Sequence, residues 1–421
     1  MDPAHVFGIG LGLQGTPWQV AEVEFDEEAK RLNIRLDFPP GSRFPHPDTG
    51  QLSPVYDTEE RSWRHMNFFQ FECYVHAFVP RVDGGPGAGV KRVALPWARP
   101  HTGFSLLMES LMLLSVRGGM TVAETARMCG EHPQRIWKVI LHHVGKAHEQ
   151  MDLGGVQVVS IDEVCRKRGH NYLTIISQPR SGPQPSRVLL VLEGRDSGTL
   201  AQFKDHLRRR GIPPEQVETI CSDMSAAYIK GISEQFGHAT LVFDYFHIVK
   251  LVTEALDEVR RRECREFPEQ LKGTRWIWLK SEGKLTEAQQ AQRERLCAGQ
   301  LQTGKAYNHL DALRTLMRQS DPAEAEFALK WWCGWVARSR IPEMKKVART
   351  IRDHWDGVVA YLKTRVTNGA AEALNGIIQT VKRKSRGFRT VEYFTAIIYL
   401  VGSRLQFDLP NPFPVTHTNS H

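Results

Sequence analysis

The sequence has no CxxC pair. Its seven cysteines stand at positions 73, 129, 165, 221, 264, 297 and 333, which leaves no zinc-finger knuckle and no thioredoxin-like motif. An odd, scattered set of thiols fits a reducing compartment and small buried side chains. No apolar run reaches membrane-spanning length, and Met1-Asp2-Pro3-Ala4-His5 does not begin a secretory signal, so a cytoplasmic protein with no membrane partner is expected. No GxxxxGK[ST] loop is present, which argues against a nucleotide triphosphatase. One glycine run, Gly10-Leu11-Gly12-Leu13-Gln14-Gly15, fits GxGxxG. No strand precedes it and Thr16-Pro17 follows it, so the strand, turn and helix of a dinucleotide site are missing.

What is present is ordinary in bulk and uneven in detail. At 421 residues, two to three domains are expected. The formal net charge is +8, and Lys/Arg are concentrated in stretches. A basic stripe is the usual electrostatic mark of a nucleic-acid binder, although a basic enzyme of another kind fits the total equally well.

Along the chain, residues 1–98 read as a small β-rich domain. Trp18 to Phe25 alternates, Asp26-Glu27-Glu28 turns, and Leu32 to Phe38 alternates again. A second short β region spans Phe68 to Val82. Residues 99–150 read as helix-turn-helix. Phe104 to Val116 is strongly apolar. Thr121 and Glu124 form a capping box, Gly130-Glu131-His132 turns, and Pro133 opens a third helix. On that reading Gln134, Arg135 and Lys138 lie near the start of a groove-entering helix. An ordinary helical hairpin is the alternative.

Residues 151–245 carry strands at 156–161, 172–177, 188–192, 217–222 and 239–243, with helices at 200–210 and 225–236. The order β-β-β-α-β-α-β fits an α/β RNase H-like core: an antiparallel triplet continued by parallel strands with helical crossovers. Residues 246–362 read as an all-helical insertion containing Trp276, Trp278, Trp331, Trp332, Trp335 and Trp355. These indoles suit core packing, or stacking on displaced bases. Residues 363–408 complete the core, and 409–421 read as a flexible tail.

The chemistry is carried by acids. Asp162 and Asp223 each follow a core strand, at the carboxyl edge where open α/β sheets place their sites. Asn368, Glu372 and Asn375 stand at i, i+4 and i+7, on one helical face. An acid flanked by two amides suits a hard cation. Three converging carboxylates would hold two divalent cations about 3.5–4 Å apart, with Mg²⁺ or Mn²⁺ favoured by all-oxygen ligation. Lys382, Arg383, Lys384, Arg386 and Arg389 follow without an acid among them, as a grip on the DNA backbone or a solvated helix end. Asp244 reads as a cap or supporting group, His247 as a structural histidine, and Glu163 as peripheral. Asn368 and Asn375 would support the glutamate or touch phosphates.

Four ordered motifs resemble those of DDE transposases from bacterial insertion sequences, of the ISL-three group. They are Ser160-Ile161-Asp162-Glu163, Cys221-Ser222-Asp223-Met224-Ser225-Ala226-Ala227-Tyr228, Phe243-Asp244-Tyr245-Phe246-His247, and Thr367 to Asn375. The resemblance implies Asp162, Asp223 and Glu372 as a catalytic, metal-binding triad. It also implies double-stranded DNA partners (terminal inverted repeats and target), strand cleavage and transfer, and a nucleoid-associated protein in a bacterium. Joining two ends calls for at least a homodimer. Two departures stand out. The group usually carries an N-terminal zinc ribbon, but Pro45 to Gly50 has no CxxC and Val82 to Gly89 lacks the second pair, which puts structural zinc in doubt. After Ser177 this chain has Gln178-Pro179 and a longer loop where the group often has an acid-Leu turn. A catalytically silent, transposase-derived DNA-binding regulator and a structure-selective nuclease are the rival readings.

Overall fold

Two compact units form, one running up to Glu149 and including the segment from Leu405, the other spanning Gln150–Arg404. The computed structural model describes residues 3–167, 169, 171–180, 182, 184–280 and 282–413. Of the tail expected over 409–421, residues 414–421 lie outside the described residues.

The first unit begins with α1 (Pro3–Gly10) and a six-stranded sheet. Its strands are β1 (Gln19–Asp26), β2 (Arg31–Asp37), β3 (Arg43–Pro45), β4 (Leu52–Phe68), β5 (Phe71–Asp83) and β6 (Val90–Arg92), in the order β1-β2-β5-β4-β3 with β6 on β5. The alternation read over 18–38 is the β1–β2 hairpin. β4 was not foreseen, because Asp57-Thr58-Glu59-Glu60-Arg61 is polar on both faces. It is held by its long antiparallel ladder with β5 and by the ion pairs Arg81–Asp57 and Arg92–Glu59. Trp18, Trp63 and Trp97 close the core, with Trp97 edge-on to Trp18 at 4.8 Å and to Trp63 at 5.6 Å.

A histidine, His46, ties together two turns, one at Pro45 to Gly50 and one at Val82 to Gly89. It is buried, its Nε2 lies 3.1 Å from the Gly89 carbonyl, and its Nδ1 accepts the Asp48 N–H at 3.3 Å. Gly84 is required beside it, since a Cβ there would stand 2.7 Å from the ring.

Three helices follow: α2 (Leu106–Arg117), α3 (Val122–Cys129) and α4 (Pro133–Glu149). Ser105 caps α2, one residue after the expected start. Thr121 and Glu124 exchange both bonds of the capping box, and Gly130 takes the left-handed conformation (φ 69°) that turns the chain into α4. Glu109 of α2 is fully buried and receives hydrogen bonds from Arg99, Thr102 and His143, so one carboxylate joins the preceding loop, α2 and α4.

The second unit is built on a five-stranded sheet. Its strands are β7 (Val158–Lys167), β8 (Asn171–Gln178), β9 (Arg187–Glu193), β10 (Thr219–Ser222) and β11 (Thr240–Phe243), in the order β11-β10-β7-β8-β9. β7, β8 and β9 pair antiparallel, while β10 is parallel to both β7 and β11. The crossovers are α5 (Gly198–Arg209) and α6 (Ala226–Gln235). The largest boundary difference from expectation is the end of β7. β7 does not end before Asp162 but runs on to Lys167, because its hairpin with β8 continues past Ser160, where the β10 ladder stops.

Eight helices then extend from β11: α7 (Tyr245–Glu266), α8 (Pro268–Leu271), α9 (Arg275–Leu279), α10 (Glu287–Ala298), α11 (Gln302–Leu316), α12 (Pro322–Arg338), α13 (Pro342–Asp353) and α14 (Trp355–Thr364). Their core is continuous with the sheet: Cys221, Val242 and Phe243 pack in the same cluster as Leu256, Leu310 and Trp332. Trp278 and Trp332 are core residues, while Trp276 and Trp331 are exposed. The chain returns through α15 (Gly369–Lys384) and α16 (Val391–Gly402).

Candidate active site

Strand register brings three aspartates into one row. Ser160 of β7 lies opposite Cys221 of β10, so two residues further along Asp162 and Asp223 are level. Ser222 lies opposite Phe243 of β11, so Asp223 and Asp244 are level one residue beyond the ladder. Neighbouring strands are about 4.8 Å apart, so this row crosses the carboxyl edge of the parallel strands, the edge at which open α/β sheets bind ligands.

Helix α15 is laid along β7 by hydrogen bonds at seven-residue intervals. The Asn368 side chain donates to the Ile161 carbonyl at 3.3 Å, Asn375 Nδ2 donates to Asp162 Oδ2 at 2.6 Å, and Lys382 Nζ donates to the Cys165 carbonyl at 2.5 Å. Two turns of helix separate each pair, so one stripe faces the strand while Ala371, Leu374 and Ile378 are buried. Glu372 sits in the first turn on the side of the acids, its N–H bonded to the Asn368 carbonyl at 2.8 Å.

The charges interact. Burial pushes the Asp162 carboxyl above its ordinary value; the Glu163 N–H and His247 oppose this, and Asp223 and Asp244 add to it. Burial likewise raises Glu372, with Asp244 and Asp162 adding to the shift and His247 opposing it. The hydrogen bond to Asp244 holds His247 above its ordinary value; burial opposes this, and Asp223 and Asp162 reinforce it. Asp162, Asp223, Asp244, Glu372 and His247 therefore form one electrostatic neighbourhood. Among the described residues no three acidic, histidine or cysteine side chains stand close enough together to hold a metal ion as they are. The donor set is nonetheless carboxylate oxygen, the chemistry hard cations take, and crowded acids with raised affinity for protons are the arrangement a dication relieves.

Asn368, Asn375 and Lys382 turn inward, while the other cations of the basic run stay exposed. Asn368 is fully buried. It has no surface to offer a phosphate, and its side chain instead ties α15 to β7. Asn375 directs its amide to Asp162 and Lys382 its ammonium to Cys165, both inward. Arg383, Lys384, Arg386 and Arg389 are exposed. Glu163 pairs with Arg195 at 3.6 Å. On α4, Gln134, Arg135 and Lys138 share an exposed face, but the Arg135 guanidinium lies 4.1 Å over the Phe104 ring and pairs with Glu131 at 2.5 Å.

Of the two parts the sequence allows Asp244, cap or supporting group, the structure fits the second. It occupies the position before α7 yet makes no capping bond. Its Oδ1 accepts the Asn368 N–H at 2.9 Å and its Oδ2 faces His247 Nδ1 at 3.2 Å. The signal that could have found this was present: an acid one residue past a strand parallel to the Asp223 strand.

Residues 159–398 match a family model described as transposase, and residues 93–144 match one described as the helix-turn-helix domain of transposase family ISL3. The chain is similar to the transposase for insertion sequence element IS1557 of Mycobacterium tuberculosis, 27% identical over 373 residues, with 81% of each chain covered. It is also similar to the transposase for insertion sequence element IS1001 of Bordetella parapertussis, 25% identical over 352 residues, covering 81% of this chain and 84% of the relative.

Proposed function

The chain belongs to the ISL3-type DDE transposases, and from that premise we propose that it binds the terminal inverted repeats of its insertion sequence and catalyses DNA strand cleavage and strand transfer. The catalytic, metal-holding acids are Asp162, Asp223 and Glu372. They stand on an RNase H-like core formed by 151–245 and 363–408 and interrupted by the helices of 246–362. The observation that carries this reading is the register that sets Asp162 level with Asp223, together with the ties that lay the Glu372 helix against β7.

Each Asp162 oxygen accepts one protein donor, the Glu163 N–H at 2.8 Å on Oδ1 and Asn375 on Oδ2. A carboxylate has about four lone-pair sites, so both oxygens keep capacity while the group is fixed in orientation. Asp223 is steadied by the Ser225 N–H at 3.0 Å. Two Mg²⁺ or Mn²⁺ ions suit these acids and, when bound, supply an activated water or 3′-hydroxyl and charge for the leaving oxygen. Arg383, Lys384, Arg386 and Arg389 hold the phosphate backbone. The exposed face of α4, with Gln134 and Lys138 foremost, reads the terminal repeat. At least two copies act together, because two ends are joined.

The test is an end-cleavage assay on linear DNA carrying the element's own termini with Mg²⁺. Asp223→Ala and Glu372→Ala should bind that DNA as the parent does and leave it uncut. An Asp223→Ala protein that still nicks the transposon end overturns the assignment.

A further inference from the structure

Asp244 has the surroundings of a part rather than of a cap. It is 1% exposed, and a buried carboxylate is retained only where hydrogen bonds compensate its lost hydration. One oxygen faces His247, and the other reaches a residue 124 positions away to take the N–H of Asn368, where α15 begins. That N–H precedes the helix and has no intrahelical acceptor, so Asp244 supplies it, and its negative charge also faces the positive end of the helix dipole. Asn368, itself 0% exposed, carries the connection onward to the Ile161 carbonyl. Ile161 immediately precedes Asp162, and Glu372 stands one turn into α15. A single buried chain of hydrogen bonds therefore links the end of β11, the start of α15 and the middle of β7.

We infer that Asp244 and Asn368 are positioning residues: through this chain they fix where the Glu372 carboxylate stands relative to Asp162, and hence how well the acids take up a divalent cation. This rests on the reading of Asp162, Asp223 and Glu372 as metal-holding acids. Neither Asp244 nor Asn368 touches substrate in this role. Asp244 acts through a backbone N–H, so an isosteric amide whose oxygen still accepts that bond preserves it.

The experiment titrates Mn²⁺ into the full chain without DNA, followed by electron paramagnetic resonance, with thermal melts to establish folding. Asp244→Ala and Asn368→Ala should each weaken Mn²⁺ binding by about tenfold, the scale of losses from supporting residues around metal sites. Asp244→Asn should recover most of the affinity. In a Glu372→Ala background, Asp244→Ala should add no further loss, which a merely structural role does not predict. Wild-type affinity in a folded Asp244→Ala or Asn368→Ala protein overturns the inference. So does an Asp244→Asn protein as defective as Glu372→Ala, which is the decisive measurement if the alanine variants do not fold. If Glu372→Ala itself binds Mn²⁺ normally, the reading of the acids has failed; if it loses Mn²⁺ while Asp244→Ala and Asn368→Ala keep it, only the positioning role has.

Discussion

Asp162 shows at the scale of one residue how a buried, crowded carboxylate costs stability. Burial and the neighbouring acids raise its affinity for a proton in the fold. The native state then binds more protons than the unfolded chain, so stability without divalent cations falls as pH rises from the ordinary carboxylate value through the raised one. Asp162→Asn keeps an oxygen for Asn375, gives up the bond from the Glu163 N–H, and removes the charge. Without cations its stability in thermal melts should fall less than the parent's as pH rises through the carboxylate range, while cleavage is abolished. An equal fall would show that neither burial nor the neighbouring acids penalise the charged carboxylate. His309 works in the opposite direction. It is buried against Trp335 at 4.4 Å, and burial drops its pKa to about 4. Folding keeps it neutral, whereas the unfolded chain takes up a proton near 6.5. Stability is therefore full above 6.5 and lost as pH falls toward 4, by about 3 kcal/mol in all. Urea unfolding at pH 7 and pH 4.5 should give a steeper loss for the parent than for His309→Gln.

At the scale of elements, what local chemistry dictates was legible and what long-range pairing dictates was not. Thr121 and Glu124 announce α3, and Pro133 announces α4, because capping is decided within a few residues. The strand before Asp223 was readable from its apolar run. The length of β7 was not, since its extension through Asp162 depends on β8, a partner the apolar run does not report. β4 was lost because neither of its faces is uniformly apolar. The tie from Asp244 to Asn368 joins residues far apart in sequence and leaves no periodic trace. The helix period alone places Glu372 on one face with Asn368 and Asn375, but the period cannot tell that Asn368 is buried. Close approach of elements is equally invisible in sequence. Helix α14 meets β11 at Gly357, where a Cβ would overlap the Phe243 ring. Gly357→Ala should displace that ring and the adjoining Asp244. A cost of about 1–3 kcal/mol, the range for overpacked contacts, and slower cleavage are expected. A variant with unchanged stability and activity would mean that Phe243 yields freely.

Across the whole molecule the net charge of +8 says little until the committed cations are set apart from the open ones. Arg135 is paired with Glu131 and stacked on Phe104, and Lys382 is bonded to Cys165. Arg386 and Arg389 stand exposed after α15, with the turn between them anchored by Phe388 stacked on Phe394 at 5.0 Å. DNA affinity falls with salt in proportion to the phosphates neutralised, because each contact releases a condensed counterion. Arg386→Ala and Arg389→Ala should therefore each lower the slope of log affinity against log salt by about one, equally for terminal-repeat and unrelated DNA. Lys382→Ala should behave otherwise. Its ammonium secures the far end of the Glu372 helix to β7, so its loss should slow strand cleavage at saturating DNA more than it flattens the salt slope. Binding isotherms at several salt concentrations, set beside single-turnover cleavage, separate the two classes. If Lys382→Ala lowers the slope by a full unit and leaves cleavage untouched, its bond to Cys165 is exchanged for a phosphate when DNA is bound, and Asn368 and Asn375 suffice to tie α15 to β7.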